Sequence, residues 1–255
     1  MIGDSMNAKE IRFNRITNNG KMFCVPLDHG MTMGTIGKLT DIRHTVHDIA
    51  CNGASSIIMH KGMLRFIAHF PSDVGIIIHL SASTNMSCPV KKILVCEVEE
   101  ALSLGADAVS IHVNLANSFE KDMLADFAKI SKECTKFGVP LLVMVYLRDD
   151  ANKDVSTPES FLHAIRICTE LGADIVKVSY NPAWGISILQ KAVAISTVPL
   201  VIAGGEVDSS QSAFYEWTKK IVTTGAFGIC YGRNIFMSND IAATVTALAK
   251  IVYDN

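Results

Sequence analysis

Lys177 is a lone cation in the run Ala173-Asp174-Ile175-Val176-Lys177-Val178-Ser179-Tyr180, whose neighbours read as a buried strand. An ammonium is expensive to bury, and burial pushes its pKa down toward neutrality. A neutral amine attacks carbonyls, so Lys177 is a candidate for imine formation with a ketone. The other reading is a strand-end lysine that snorkels to solvent or pairs with a carboxylate. An imine cycle also needs proton carriers. Tyr146 ends the run Leu141-Leu142-Val143-Met144-Val145-Tyr146 and has the chemistry; it could equally be a packed ring with a satisfied hydroxyl. Asp28, just after Phe23-Cys24-Val25-Pro26-Leu27, could orient or deprotonate a substrate hydroxyl, or form a salt bridge with Lys177.

Two further constellations compete for attention. Gly204-Gly205 and Gly232-Arg233 follow apolar runs, where backbone amides and a charge-assisted guanidinium can hold a phosphate. His29, His60, His79 and His112, with Asp28, give a divalent-metal reading. No His-x-His pair supports it, and a strand-ending histidine is often held by a carbonyl. Lys61 is a rival imine lysine, but beside Gly62 and outside its strand it is predicted to be exposed and protonated.

These residues need elements to bring them together. Eight short apolar runs recur, at 23–27, 56–60, 75–79, 108–112, 141–146, 175–178, 200–203 and 227–231. Continuous apolar character without alternation marks parallel strands covered on both faces. Gly-Ala pairs at 53–54, 105–106, 172–173 and 225–226 precede every second run, each Gly where a helix should end in a left-handed cap. Val139-Pro140 and Val198-Pro199 introduce the fifth and seventh runs. The alternation reads as four (βα)2 quarters, hence a (β/α)8 TIM barrel, in a single domain over 1–255. Helices are expected at 41–51, at 119–137, after Thr157-Pro158 and, as a short one, at 63–70; residues 1–20 form an extension capping the barrel bottom. An open doubly wound sheet would carry a Gly-rich loop after its first strand, and Asp28-His29-Gly30-Met31-Thr32 is not one. In a barrel every residue singled out above, together with Asn114, Arg148, Ser179 and Tyr180, falls at the C-terminal strand ends, where such folds do their chemistry.

Composition narrows the partners. A net charge of −2 gives no electrostatic reason to expect nucleic acid or an anionic membrane. No apolar run has the length of a membrane span, and Met1 to Glu10 lacks an apolar signal core, so a cytoplasmic location is expected. The seven cysteines are scattered and odd in number, as reduced thiols would be. No cofactor and no metal is expected.

Taken in order, these segments resemble the archaeal-type class I aldolases, the family of fructose-bisphosphate aldolase and aminodideoxyheptulosonate synthase. The likeness runs from Val25-Pro26-Leu27-Asp28-His29-Gly30 through Asp41-Ile42-Arg43, His60-Lys61-Gly62, Ser110-Ile111-His112-Val113-Asn114 and Gly172-Ala173-Asp174-Ile175-Val176-Lys177 to Tyr231-Gly232-Arg233-Asn234-Ile235-Phe236. The resemblance implies Lys177 as Schiff-base lysine, Tyr146 as proton donor and Asp28 as acidic partner. It implies Gly204, Gly205, Gly232 and Arg233 around a substrate phosphate, with His29, Arg148 and Ser179 also lining the substrate. His79-Leu80-Ser81, Val90-Lys91-Lys92 and Met144 look like the synthase branch, which joins a phosphorylated keto-sugar fragment or dihydroxyacetone phosphate to L-aspartate semialdehyde. That branch implies precursors of aromatic amino acids or secondary metabolites, and the family implies a homo-oligomer, a decamer of pentameric rings. The alternatives are a fructose-bisphosphate aldolase, a metal-dependent lyase or hydrolase, and a non-catalytic sugar-phosphate binder.

Two segments depart from the family pattern. Tyr-Pro-Arg-Gly is Tyr146-Leu147-Arg148-Asp149 here, which predicts a more mobile, more acidic loop. Glu206-Val207-Asp208 replaces an expected Pro-Lys after Gly204-Gly205, and two carboxylates there would repel a phosphate unless they point away.

Overall fold

The computed structural model describes residues 8–67, 73–205 and 210–254. Eight strands, all paired in parallel, close into a barrel in the order β1 (Met22–Pro26), β10 (Gly228–Cys230), β9 (Leu200–Ala203), β8 (Ile175–Val178), β7 (Leu141–Leu147), β6 (Ala108–Leu115), β3 (Gly75–His79) and β2 (Ser56–Met59). This is the expected (β/α)8 architecture. Two further strands, β4 (Ser81–Ala82) and β5 (Ile93–Leu94), make a separate antiparallel ribbon inserted between β3 and β6.

Helices separate the barrel strands. In chain order they are α1 (Ala8–Arg15), α2 (His29–Met33), α3 (Ile42–Cys51), α4 (Val98–Ser103), α5 (Glu120–Phe137), α6 (Pro158–Glu170), α7 (Ile186–Ile195), α8 (Gln211–Thr223), α9 (Arg233–Phe236) and α10 (Ile241–Tyr253). The four Gly-Ala glycines all have positive φ, 108° at Gly53, 90° at Gly105, 91° at Gly172 and 84° at Gly225, which a side chain would resist. Thr157 caps α6 with a reciprocal Thr157–Ser160 box and Pro158 in the first turn. The helix expected at 63–70 is instead a 3-10 helix over Lys61–Phe66, and 68–70 lie outside the described residues. Gly62 in its first turn and the lack of a side-chain cap weaken α-helical propagation there. At the other rim, α1 pairs with the barrel through Lys9–Asp174 at 2.9 Å and Arg15–Asp107.

The strand residues fall into two sets with period two. One set, including Phe23, Val25, Ile57, Val109, Val143 and Val176, packs outward under the helices. The other fills the barrel: Met22, Cys24, Ile58, Ile77, Ala108, Leu142, Met144, Ile175, Val201 and Cys230, with Ile16 below. Counting two residues onward from Ile58, Ile77, Met144 and Ile175 reaches His60 just past β2, His79 on β3, Tyr146 on β7 and Lys177 on β8. The lower layers are therefore apolar, and the topmost layer carries the chemistry.

Candidate active site

Lys177 sits in the upper inner layer of β8, in register with Met144 on one side and Val201 on the other. Only 5% of it is exposed. Its ammonium lies 3.9 Å from the Met144 sulfur, and no described carboxylate approaches within ion-pair distance. The strand-end salt bridge with Asp28 therefore does not form as a contact, although both groups line one cavity of about 310 Å³. Tyr146, His112, Asn114, Arg148, Lys92 and Arg233 line it too.

The expected downward shift of Lys177 is overturned. Burial does push its pKa down, but Cys230, Tyr146, Asp28 and Cys24 pull it above the usual lysine value. Near neutral pH the thiols and the phenol are uncharged, so Asp28 is the anion that matters. On the amine itself, burial and Asp28 therefore act in opposite directions near neutral pH. Burial acts to raise Asp28, and His79, His29, Lys177 and His60 overcome it, holding the carboxyl well below the usual range. His79 itself is driven by burial down to about 3, so near neutrality Lys177 is the charge facing Asp28.

The histidines form a neutral scaffold. The His79 imidazole shares a 2.8 Å hydrogen bond with the Ser110 hydroxyl and stands 3.7 Å from Asp28; His29 stands 3.5 Å from the same carboxylate. The His112 ring nitrogen meets the Asn114 side-chain oxygen at 2.9 Å, and the Asn114 amide donates to the Val90 carbonyl at 2.7 Å. Burial lowers His112 well below its ordinary value. Its ring lies against Tyr146 with centroids 4.7 Å apart. Among the described residues no three His, Cys, Asp or Glu side chains are grouped to hold a metal, which is the geometry the metal reading required.

A second, smaller cavity adjoins the first and shares Lys177, Tyr146, Arg148, His29 and Arg233 with it. Ser179, Gly204, Gly205 and Gly232 complete its wall. Arg233 donates to the Gly205 carbonyl at 2.8 Å, and Asn234 to the Gly204 carbonyl at 3.0 Å, tying the two loops together. A Cβ on Gly232 would stand 2.6 Å from the His29 ring and 2.9 Å from the Pro26 carbonyl, so the backbone passes where no side chain fits. Glu206 and Asp208, which raised doubt about a phosphate, lie outside the described residues.

Lys61 is exposed and bonded to Glu100 at 2.7 Å, away from this mouth. The loop after Tyr146 is turned on itself: the Asp149 carboxylate accepts from the amides of Ala151 and Lys153, and Arg148 lies 3.7 Å from Asp154. The sequence reading missed Lys92 as a site residue. It is 9% exposed and enters the cavity from the β4–β5 ribbon. The available signal was a lysine between Val90 and Ile93 in a segment with no helical period.

A buried lysine, a phenol and a carboxylate at the top of a (β/α)8 barrel are the equipment of an imine-forming aldolase. Residues 22–238 match the model of the DeoC/LacD family of aldolases, and the chain belongs to that family. It is 38% identical over 254 residues to 2-amino-3,7-dideoxy-D-threo-hept-6-ulosonate synthase 1 of Archaeoglobus fulgidus, covering 98% of this chain and 93% of the relative. It is 34% identical over 252 residues to 2-amino-4,5-dihydroxy-6-oxo-7-(phosphonooxy)heptanoate synthase of Streptomyces griseus, covering 97% and 91%. An archaeal fructose-1,6-bisphosphate aldolase, solved with its catalytic lysine bound to a carbinolamine intermediate, superposes with a TM-score of 0.84 at 28% identity, covering 97% of this chain and all of that one. The protein is a Schiff-base-forming, class I type aldolase.

Proposed function

We propose that the chain joins a phosphorylated ketone to an amino-acid aldehyde, with Lys177 as the imine-forming residue. The observation that carries this reading is the placement of Lys177 between two cavity halves. One is walled by Gly204, Gly205, Gly232 and Arg233, the other by His112, Asn114 and Lys92.

Support for these substrates comes from the product in the Streptomyces relative's name, a seven-carbon chain with a 6-oxo group, hydroxyls at C4 and C5 and a phosphate at C7. An aldol disconnection between C4 and C5 leaves dihydroxyacetone phosphate and 2-amino-4-oxobutanoate, that is, aspartate semialdehyde. The ketone ends in a phosphate, and the aldehyde's far end carries a carboxylate beside an ammonium. Among the described residues the cavity sets Arg148, Arg233, Lys177 and Lys92 against one carboxylate, Asp28, a balance that favours such ligands.

In this reading the neutral fraction of Lys177 adds to the ketone and water leaves, giving a protonated imine. Loss of the adjacent carbon's proton gives an enamine, whose carbon attacks the aldehyde; the resulting alkoxide is protonated and water releases the product. Tyr146 lines both cavity halves and is the proton carrier. Asp28 is too acidic to be an effective base near neutrality, so it orients a donor hydroxyl and balances the positive imine. Ser179 and His29 flank the donor, and Arg233 with the surrounding glycine backbone receives its phosphate.

Borohydride trapping with dihydroxyacetone phosphate tests the reading. The expected result is a stable adduct on the peptide bearing Lys177, absent from Lys177→Met. An unmodified wild-type chain, or an adduct on Lys61, would refute it.

A further inference from the structure

Lys92 is the second buried lysine of the mouth and is separate from the imine chemistry. It stands just before β5, on the ribbon that β3 sends across the top of the barrel. The ribbon is fixed: the Asn85 amide donates to the Thr32 carbonyl at 3.1 Å, the Thr32 hydroxyl to the Ser83 carbonyl at 3.1 Å, and the Val95 amide to the Leu80 carbonyl at 2.8 Å.

Within this frame the lysine is held but not neutralised. Its ammonium donates to the Ser83 hydroxyl, which spends its own proton on the Pro89 carbonyl at 3.1 Å. Among the described residues no carboxylate comes within ion-pair distance of it. An ammonium has three donors, and burial without a counter-ion is costly. That cost is what lowers it to about 8, with Asp28 opposing the fall. A buried cation kept without a partner beside a ligand cavity is completed by an anion that arrives with the ligand.

Position says which ligand. Lys92 lines the larger cavity half with His112 and Asn114 and is absent from the walls of the half formed by Gly204, Gly205, Gly232 and Arg233. His112 and Asn114 bond to each other and to Val90, and of the cations lining the larger half, Arg148, Lys177 and Arg233 are shared with the smaller one, so Lys92 is the cation particular to that wall among the described residues. We infer that Lys92 binds the anionic end group of the aldehyde acceptor and thereby selects charged over neutral acceptors. The inference rests on the proposed aldol reaction with Lys177 as the imine former. The shared chemistry is a terminal anion, a carboxylate as in aspartate semialdehyde or a phosphate as in glyceraldehyde 3-phosphate.

The test separates donor from acceptor. Wild type, Lys92→Met, Lys92→Arg and Ser83→Ala are assayed with dihydroxyacetone phosphate and three acceptors: aspartate semialdehyde, glyceraldehyde 3-phosphate and the uncharged glyceraldehyde. In Lys92→Met the ratio of kcat/KM for the preferred anionic acceptor to that for glyceraldehyde falls by about 10- to 100-fold, the scale of one charge-assisted hydrogen bond. Lys92→Arg recovers part of that ratio, and Ser83→Ala raises the KM of the anionic acceptor. Whichever anionic aldehyde loses more identifies carboxylate or phosphate as the partner. Borohydride trapping of the donor on Lys177 in the same variants reports the other half-reaction. An equal fall for charged and neutral acceptors, or a ratio that does not move, overturns the role of Lys92 while the Lys177 adduct stands. Failure of the wild type itself to trap the donor overturns the aldol reading, and this inference with it.

Discussion

At the scale of single residues, the charge state of Lys177 is decided by its neighbours and not by its depth. Burial favours the free amine, and Asp28, the neighbour among the described residues that is anionic near neutral pH, favours the ammonium. Because attack on a ketone needs the free amine, imine formation should accelerate as pH rises through the neutral and mildly alkaline range. Asp28→Asn removes the neighbour that, among the described residues, is anionic near neutral pH, so the rise in trapping rate should move to lower pH. On the proposed orienting role of Asp28, overall turnover should fall by about 100-fold. Stopped trapping at a series of pH values measures the first effect and steady-state assay the second. An unmoved pH profile would mean that Asp28 does not set the lysine's proton affinity. The apolar strand around Lys177 makes burial one of two readings of the sequence, beside a strand-end lysine reaching solvent, and the structure shows it buried. It does not show which groups from β1, β7 and β10 surround it, so the direction of the shift was not legible there.

Among the elements, closure of the barrel depends on a small residue where the first and last strands meet. Gly228 opens β10 and pairs with Met22, and a Cβ there would lie 1.8 Å from the Met22 carbonyl oxygen. Gly228→Ala must push those strands apart, costing at least about 3 kcal/mol, the upper part of the overpacking range. Urea denaturation would measure the loss; a midpoint like that of the wild type would mean the strands absorb the methyl. The barrel strands were legible because each is a continuous apolar run, and the helix ends because Gly53, Gly105, Gly172 and Gly225 mark them. The β4–β5 ribbon was not, since two-residue strands are too short to show a period. Lys92 stayed hidden with it. The short helices α2 and α9 went unread for the same reason, although Asp28 and Gly232 at their starts were singled out.

Across the whole molecule, stacking neutral histidines beneath the mouth links fold stability to pH. His79 titrates at about 3 in the folded chain, against 6.5 for an unburied imidazole, and burial also depresses His29, His60 and His112. Between those values the unfolded chain binds more protons than the folded one. Stability is therefore full above about pH 6.5 and declines as pH falls toward 3. Denaturant midpoints measured from pH 7.5 down to pH 5 should drop steadily, and His79→Gln should make the decline shallower. A flat profile would require these rings to be protonated in the folded state.

The ribbon that carries Lys92 is attached through main-chain groups: its paired backbone, the Asn85 amide on the Thr32 carbonyl and the Val95 amide on the Leu80 carbonyl. Apart from the buried Ser81, whose hydroxyl accepts from the His112 amide, and the buried Ala82 and Val90, these attachments leave the ribbon's remaining side chains free to vary. Substitution can therefore change what the ribbon presents to an incoming molecule while the lysine on β8 and its surroundings keep their geometry. On the proposed role of Lys92, the barrel is a fixed reactor with an exchangeable inlet, and drift in about a dozen ribbon residues opens new acceptor preferences without rebuilding the bond-forming centre.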